Sequence, residues 1–319
     1  MQQPNRQTMS YLRNLFARRG IAPQHRYGQN FLIDLNIHQL IANAADIQPR
    51  DVVLEIGPGA GALTALMAEK ASAVVAVEID PAMARLTREA VSGRLNVRVI
   101  NADALANKHT INPEVLNNVQ AGLAVSPEKR FKLVANLPYN IATPIIGNLL
   151  LGNEPRPSLV VVTIQLEMAQ RLKAEPATEA FGGLSVLVQA VADVEFVRVL
   201  SPKVFWPKPK VASAVVKITP NEEKRALIAD LPWFASVVRR IFLHRRKNLR
   251  GVLHTLWKAQ WTKPEVDALL ESLGLNGQIR AEAMNVEEFL SLAEALKKRF
   301  PDESVSKDED PSQDAVDEN

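Results

Sequence analysis

The stretch Asp51-Val52-Val53-Leu54-Glu55-Ile56-Gly57-Pro58-Gly59-Ala60-Gly61-Ala62 joins an apolar run to three closely spaced glycines. The run has the branched-chain character of a strand that is buried on both faces, as in a parallel sheet covered by helices. Glycines directly after such a strand allow a tight turn and let a ligand approach the backbone beside a helix N-terminus. The stretch therefore predicts the first strand, turn and helix of an α/β domain, with a ligand at the turn.

Further strand-like segments follow, with helical stretches between them. Two late segments, 193–201 and 211–219, alternate between apolar and polar residues, which favours an antiparallel pair at one edge of the sheet. The alternation of strands and helices predicts a doubly wound α/β fold. The more apolar strands are predicted at 51–57, 73–80, 96–103, 131–137 and 158–165.

The character of the chain changes after Pro220, where helical patterns replace strand signals. The polar stretch 106–129 looks like an insertion between the third and fourth strands. The last nineteen residues carry eight acids, one lysine and few apolar side chains, which predicts disorder. The predicted division is a basic N-terminal extension (1–26), a main α/β domain (27–220), a small all-helical domain (221–300) and a disordered acidic tail (301–319).

Composition limits the classes of function. The 319 residues contain no cysteine, which excludes disulfides and cysteine nucleophiles, and the five histidines show no metal-ligand spacing, so no metal is predicted. No apolar run could span a membrane and no secretory signal is evident, so a cytoplasmic protein without membrane contact is expected. The tail has a net charge of −7, so the rest of the chain carries +10 of a total of +3. A basic body attracts phosphate backbones, although a merely soluble basic surface would carry the same charge.

Two acidic residues end predicted strands at the edge where ligands bind in α/β sheets. Glu78 ends the second strand and Asp103 the third, where carboxylates can accept hydrogen bonds from ribose hydroxyls or an adenine amine. A helix-capping role is the alternative for Glu78, but Asp80 before Pro81 suits that role better. The glycine turn also fits a dinucleotide-binding pattern or a purely structural turn, and no P-loop sequence follows it. The series points to an adenosine-containing cofactor.

The sequence Asn136-Leu137-Pro138-Tyr139 follows the fourth strand and indicates the chemistry. The N6 amine of adenine is a poor nucleophile because its lone pair is delocalised into the ring. An acceptor at Asn136, together with a backbone carbonyl, would favour a pyramidal nitrogen whose lone pair can attack a methyl group. Pro138 fixes its own φ and would help aim the Leu137 carbonyl, and Tyr139 can stack on the base. An ordinary Asn-Pro turn is the alternative.

A series of stretches, in order along the chain, carries a family resemblance. They are Gly28-Gln29-Asn30-Phe31-Leu32, Glu55-Ile56-Gly57-Pro58-Gly59-Ala60-Gly61-Ala62-Leu63-Thr64, Val77-Glu78-Ile79-Asp80, Asn101-Ala102-Asp103-Ala104-Leu105, Asn136-Leu137-Pro138-Tyr139-Asn140-Ile141-Ala142-Thr143-Pro144-Ile145, 167–189 and 204–216. Together they resemble the ribosomal RNA adenine dimethyltransferase family, in its small-subunit branch. The resemblance extends from about Tyr27 to Leu296.

This resemblance implies a Rossmann-like, S-adenosylmethionine-dependent methyltransferase domain. Its implied substrate is the N6 of two adjacent adenosines near the 3′ end of 16S small-subunit rRNA, within a 30S precursor, and a role in 30S biogenesis is implied as well. A monomer is expected. Tyr139 and Phe205 are placed against the substrate base, with a simple core position as an equal alternative for Phe205. The implied cofactor site is Asn30, Leu32, Gly57, Gly59, Glu78, Asp103 and Asn136, and the implied catalytic segment is Asn136, Leu137, Pro138 and Tyr139.

The segment 238–250 (VRRIFLHRRKNLR) is densely basic. Phe242 and Leu249 would anchor one helix whose other face offers cations to RNA phosphates, whereas a solvated basic helix without a partner is the alternative. An adenine in folded RNA must leave its stack to be alkylated, so extrusion into a pocket is expected. The predicted RNA-binding residues are Arg239, Arg240, Arg245, Arg246, Lys247 and Arg250.

Three other functions remain open at this level. The related large-subunit branch shares the chemistry, although 205–216 and 238–250 favour the small-subunit branch. An RNA-binding assembly factor could have kept the basic surface with catalysis secondary or lost, but the intact acidic residues and the 136–139 segment argue for activity. A nicotinamide-dependent dehydrogenase would not account for the 136–139 segment.

Overall fold

The structure is a computed structural model that describes residues 8–125, 128–152, 155–258 and 260–301. The predicted acidic tail lies outside the described residues apart from Pro301, as do the first seven residues of the predicted N-terminal extension. Within the described ranges, no helix combines the length and the apolar character that crossing a membrane requires.

A central mixed sheet organises the first part of the chain. The strands in the described residues are β1 (Phe31–Leu32), β2 (Asp51–Ile56), β3 (Ala73–Val77), β4 (Val97–Ile100), β5 (Leu105–Asn107), β6 (Thr110–Ile111), β7 (Arg130–Asn136), β8 (Leu159–Gln165), β9 (Ala192–Leu200), β10 (Phe205–Trp206) and β11 (Ser213–Pro220). Seven of these described strands form one sheet in the order β4-β3-β2-β7-β8-β11-β9. Within this sheet, neighbouring strands among β4, β3, β2, β7 and β8 are parallel, and β11 is antiparallel to β8. The predicted doubly wound α/β fold is confirmed.

Helices alternate with these strands and then continue alone. Those in the described residues are α1 (Met9–Arg19), α2 (Leu35–Ala44), α3 (Ala62–Met67), α4 (Pro81–Ala90), α5 (Pro113–Leu123), α6 (Ala142–Leu151), α7 (Leu166–Leu172), α8 (Gly183–Gln189), α9 (Glu222–Ala226), α10 (Leu231–Phe242), α11 (Leu249–Leu256), α12 (Lys263–Ser272) and α13 (Val286–Arg299). Many begin where the sequence supplies a cap. Helix α13, for example, starts at a reciprocal capping pair between Asn285 and Glu288.

Strand β2 is buried along its whole length, as its composition predicts. Its Val53 belongs to one core cluster with Ile41 of α2, Met67 of α3 and Val134 of β7. Burying each such side chain stabilises the fold by about 1.5–3 kcal/mol. The cluster fixes the end of β2, and so fixes the position of the glycine turn that follows.

The stretch 106–129 does not form an insertion, so that prediction is wrong. It contains the short β5–β6 pair and then α5, which connects β4 to β7 across the sheet and contacts β2 and β3. Val115 and Val119 of α5 are fully buried. A parallel connection of this kind needs a crossover of a dozen or more residues, and this segment supplies it.

The predicted N-terminal extension is packed against the first part of the chain where the structure describes it. Helix α1 begins at the Thr8 cap and buries Leu12 and Phe16. The Phe16 ring meets the Phe31 ring edge-on, with centroids 5.2 Å apart. The apolar positions of α1 therefore make it part of a core cluster, although its composition is basic.

The contacts divide the chain into two units. The first contains residues 1–169 and 193–220, and the second contains 170–192 and 221–319. One boundary between the two units lies after residue 220, where the sequence predicts a domain boundary. Residues 170–192 were predicted within the main domain, but α8 contacts α10 and α13, and the Ala177 N–H donates to the Glu282 carbonyl at 2.7 Å. These contacts place the segment with the helical unit.

Candidate active site

The glycine turn after β2 needs glycine for both conformation and space. Gly57 has φ of 74°, and a Cβ there would lie 3.1 Å from the Pro138 ring. Gly59 has φ of 58°, and a Cβ there would lie 3.0 Å from the Phe31 ring. Residues with side chains rarely adopt such φ values, and the space is already filled. The turn therefore lies directly against the 136–139 segment.

A cavity of about 330 Å³ opens at the carboxyl ends of the parallel strands. Ligands bind at this edge in open α/β sheets, because the turns that follow adjacent strands converge there. The structure thus gathers around one space all but one of the predicted cofactor, catalytic and base-binding residues. Those in the lining are Asn30, Leu32, Gly57, Gly59, Glu78, Asp103, Asn136, Leu137, Pro138 and Tyr139.

Glu78 lines this cavity, is 6% exposed, and is held in place by two backbone N–H groups. Its Oε2 accepts from the Gly59 N–H at 3.3 Å, and its Oε1 accepts from the Asp80 N–H at 3.0 Å. Burial raises the pKa of Glu78 to about 7, although the two hydrogen bonds oppose the rise. Asp80 caps α4 by accepting from the Ala82 N–H at 2.8 Å, which confirms that prediction. Each Glu78 oxygen can accept a further hydrogen bond from a ligand hydroxyl.

Glu55 is a second buried carboxylate in the lining, and no role for it was predicted from the sequence. The Thr64 hydroxyl donates to its Oε2 at 2.5 Å. Burial raises the pKa of Glu55 to about 8, and the nearby charge of Glu78 adds to the rise. The feature of the sequence that could have indicated a role for Glu55 is an acid within a mostly apolar strand, two residues before the first glycine of the turn. With pKa values near 7 and 8, the two glutamates share fewer than two negative charges at neutral pH.

The remaining predicted cofactor residues lie around the same space. Asp103 is exposed, and its Oδ1 accepts from the Leu105 N–H at 2.9 Å in the turn between β4 and β5. The Asn30 side chain donates to the Gly28 carbonyl at 3.2 Å. Leu32 is buried in β1. The two hydrogen bonds are local and set the conformations of the N-terminal loop and of the Asp103 turn, both of which line the cavity.

Asn136 is oriented by a residue far away in the sequence. Its Nδ2 donates to the Asn30 carbonyl at 3.0 Å. This bond commits the donor side of the amide, so Oδ1 is the atom that can accept from a substrate amine. The Leu137 N–H donates to the Thr163 carbonyl at 3.2 Å, which fixes the next peptide against β8.

Tyr139 follows on a short turn. The Pro138 carbonyl accepts from the Ile141 N–H at 3.2 Å, which closes that turn. The Tyr139 hydroxyl lies 2.7 Å from the Ser213 hydroxyl on β11. Burial raises the pKa of Tyr139, while the Ser213 hydrogen bond opposes the rise, so the phenol stays neutral.

Phe205 lies outside the lining that the described residues form. It is 2% exposed and belongs to the core cluster of β2 and α2. In β10 it pairs with Leu32 of β1. In this structure its position is that of a core aromatic, which is one of the two readings the sequence allowed.

The basic segment 238–250 is not one helix, so that prediction is wrong. Helix α10 ends at Phe242, and α11 begins at Leu249 after an Asn248 cap. The Asn248 side chain accepts from the Gly251 N–H at 2.9 Å, which starts a new helix and ends any continuation of the first.

The six predicted RNA-binding residues therefore have different surroundings. Arg240 lies over the Trp257 ring with its guanidinium carbon 4.6 Å from the centroid. Arg250 pairs with Asp267 through two hydrogen bonds. Arg239 is half-buried on α10. The exposed cations are those of the α10–α11 connection, namely Arg245, Arg246 and Lys247.

His38 is another lining residue that the sequence did not single out. Its Nδ1 lies 3.0 Å from the Asp34 carbonyl, and burial lowers the pKa of His38 to about 4. The imidazole is therefore neutral at physiological pH. The described residues contain no group of three or more histidine, cysteine or acidic side chains that could hold a metal ion.

Comparison with known proteins agrees with this geometry. The profile of the family described as ribosomal RNA adenine dimethylase matches residues 22–298. Two curated relatives, both named ribosomal RNA small subunit methyltransferase A, come from Pediococcus pentosaceus and Lactiplantibacillus plantarum. The first is 37% identical and covers 88% of this chain and 92% of the relative. The second is 40% identical and covers 87% and 91%.

Solved structures show the same likeness. A dimethyladenosine transferase from Plasmodium falciparum has a TM-score of 0.68 and 26% identity, covering 83% of this chain and 97% of its own. The 23S rRNA methyltransferase ErmE has a TM-score of 0.60 and 28% identity, covering 84% and 100%. The resemblance seen in the sequence is confirmed, and the chain belongs to the ribosomal RNA adenine dimethylase family.

Proposed function

We propose that this protein transfers methyl groups from S-adenosylmethionine to the N6 of two adjacent adenosines near the 3′ end of small-subunit rRNA, two groups to each base. The observation that carries the proposal is the position of Asn136. Its amide oxygen is available at the same cavity that Glu78 and the glycine turn line. The proposed partner is the rRNA of a 30S precursor, and the proposed active form is a monomer with a role in 30S biogenesis.

The residues around the cavity fit S-adenosylmethionine as the methyl donor. Gly57, whose φ of 74° and close contact with the Pro138 ring exclude a side chain, brings its backbone to the cavity, where the methionine part of the cofactor would lie. Glu78 would accept from both ribose hydroxyls and Asp103 from the adenine amine, while Asn30 and Leu32 would cover the cofactor from the N-terminal side. When bound, S-adenosylmethionine supplies a methyl group on a positively charged sulfur.

The protein would then act on the amine of the target adenine. The Asn136 Oδ1 and the Leu137 carbonyl would accept hydrogen bonds from its N–H groups, which would localise the lone pair on N6. The Tyr139 ring would stack on the extruded base, and the positive charge that develops on N6 would favour that π-face. A neutral Tyr139 is a stacking surface rather than a base. Positioning would therefore supply most of the catalysis.

Relatives and sequence both favour the small subunit as the source of the substrate. The curated relatives carry small-subunit names, at 37% and 40% identity. The 23S rRNA methyltransferase is 28% identical. The stretches 205–216 and 238–250 also favour the small-subunit branch. The adenosines would have to leave their stack to enter the cavity.

Cofactor binding should depend on pH through Glu78. Ribose hydroxyls donate more strongly to a carboxylate than to a carboxylic acid, so binding favours the ionised form. Because the pKa of Glu78 is raised to about 7, the ionised fraction increases about tenfold between pH 6 and pH 8. The dissociation constant of S-adenosylmethionine should fall by about that factor over the range. Calorimetry at several pH values measures it.

The matched variant for this test is Glu78→Gln, which cannot ionise. It should bind weakly at every pH and lose the dependence. The neighbouring Glu55→Gln variant separates the second buried acid, whose pKa is raised to about 8. If Glu78→Gln keeps the full slope while Glu55→Gln loses it, the ribose assignment belongs elsewhere.

Charge reversal at the α10–α11 connection should weaken RNA binding. Arg245 and Arg246 are exposed there, and each phosphate contact contributes about 0.7–0.9 to the slope of log affinity against log salt. The double variant Arg245→Glu/Arg246→Glu should therefore lose affinity for small subunits and show a slope shallower by about 1–2. Filter binding across a salt series measures both quantities.

The control variant carries the same charge change on other exposed lysines of the helical unit, Lys263→Glu/Lys298→Glu. It should lose less affinity and keep the slope. Equal effects from both pairs would mean that only net charge matters, and an unaltered slope in the first would leave Arg245 and Arg246 as solvated cations.

The direct test of the proposed function uses undermethylated small subunits. These are incubated with the protein and methyl-labelled S-adenosylmethionine, and the RNA is digested to nucleosides. The expected label is in N6,N6-dimethyladenosine from two neighbouring positions. Absence of label from the adenosines of the small-subunit RNA would refute the proposal.

A further inference from the structure

Tyr139 is held by a residue outside the cavity lining that the described residues form. The Tyr139 hydroxyl and the Ser213 hydroxyl are 2.7 Å apart. Ser213 is fully buried, whereas Tyr139 is half-buried and borders the cavity. The polar end of the phenol is thus engaged inside the first unit, while its ring lines the space where the substrate base is proposed to bind.

Ser213 belongs to the same hydrogen-bonded frame as Asn136. It opens β11, where it lies opposite Gln165 of β8. Strand β8 also pairs with β7, where Thr163 lies opposite Asn136. Strands tied together in this way hold their side chains in a fixed relation, better than a loop could. The hydrogen bond from Ser213 therefore fixes the position of the Tyr139 ring relative to β7, the strand that carries Asn136.

The hydrogen bond restricts the motion of the Tyr139 ring, and the phenol does not act as an acid or a base. Burial raises the pKa of Tyr139, so the phenol keeps its proton. A ring fixed only at Cα can swing about its two side-chain torsions, whereas a second attachment at the hydroxyl restricts both. A ring that is already ordered keeps the reacting groups aligned in the transition state.

We propose that Ser213 is a positioning residue. It locks the Tyr139 ring in the orientation that stacks on the extruded adenine, and in this way it sets how the base amine meets the methyl donor. This inference rests on the proposed function and assigns a partner to one residue of that site. Ser213 acts through Tyr139 and touches neither cofactor nor base.

A double-mutant cycle tests the proposal with Ser213→Ala, Tyr139→Phe and the double variant. Each single change removes the same hydrogen bond, so each should lower kcat for methylation of small subunits about fivefold. The double variant should be no slower than either single variant, because the bond is already lost. The KM and the dissociation constant of S-adenosylmethionine should stay unchanged.

A buried serine with only a structural role would behave differently: its replacement would lower stability and leave kcat unchanged. Ser185→Ala removes another fully buried serine, whose hydroxyl donates to the Arg171 carbonyl at 2.6 Å in the helical unit. It should lower the melting temperature without changing kcat. Tyr139→Ala should be much slower than Tyr139→Phe, because it also removes the stacking ring.

Two results would overturn the proposal. One is a wild-type kcat in Tyr139→Phe, which remains informative even where Ser213→Ala folds poorly. The other is a double variant whose loss equals the product of the two single losses. Failure of the wild-type protein to methylate adenine would instead refute the proposed function, so the two failures are distinguishable.

Discussion

Replacement of Asn136 by alanine should lower the rate of methyl transfer by about a hundredfold or more, the usual scale for removing one preorganised hydrogen-bonding group from an active site. The amide nitrogen donates to the Asn30 carbonyl at 3.0 Å, so the oxygen is the atom left for the adenine amine. Without this acceptor the N6 lone pair stays delocalised. Single-turnover methylation of small subunits measures the loss.

Three further measurements locate the effect of this change. The affinity for S-adenosylmethionine should change by less than about threefold, since most of its proposed contacts remain. The affinity for small subunits should also persist, which separates catalysis from the binding that an assembly factor needs. Asn118→Ala, half-buried on α5 where the Asn118 side chain donates to the Glu114 carbonyl at 2.8 Å, is the matched asparagine control and should be fully active. A normal rate in Asn136→Ala would remove the residue from its proposed role.

Replacement of Glu78 by alanine should weaken binding of S-adenosylmethionine by about a hundredfold. Hydrogen bonds to a charged group contribute about 1.5–3 kcal/mol each, and the carboxylate would accept from two ribose hydroxyls. The change also releases the N–H groups of Gly59 and Asp80, which Glu78 now holds at 3.3 and 3.0 Å. Calorimetry at pH 8, where Glu78 is mostly ionised, gives the largest contrast.

The control is Glu89→Ala, which removes a surface carboxylate that pairs with Arg19 at 2.7 Å. Exposed pairs of this kind contribute little, so cofactor binding should be unaffected. Once saturated with cofactor, Glu78→Ala should recover much of its rate, because the residue is proposed to bind rather than to react. An unchanged calorimetric affinity would count against the ribose assignment.

Much of the site was accessible from the sequence, because its signals are local. A continuous apolar run followed by glycines specifies a buried strand and a tight turn. Acids at the ends of successive strands must come to one edge, since parallel strands point the same way. These rules placed Glu78 and Asp103 correctly at the cavity with the 136–139 segment. They also led to Asp80, rather than Glu78, as the cap of α4.

Other features depend on partners that leave no pattern in the neighbouring sequence. Whether Phe205 faces a ligand or the core depends on how β10 pairs with β1. The sequence of 106–129 is polar and resembles an insertion. Only the order of the strands in the sheet shows that a crossover helix is needed there to connect β4 to β7. Residues 170–192 follow a strand of the first unit, yet their apolar side chains pack in the second.

The sequence by itself determined the fold class and the chemistry available at the strand ends, because periodicity, turn residues and motif spacing are written over short distances, and its motifs carried the resemblance to the family. Only the tertiary structure decided which way the Asn136 amide faces and what holds Tyr139. Those answers come from Asn30 and Ser213, which are far from their partners in the chain and meet them only when the sheet has formed. A hydrogen bond needs a particular distance and direction, and for residues so far apart both are set by packing rather than by sequence spacing.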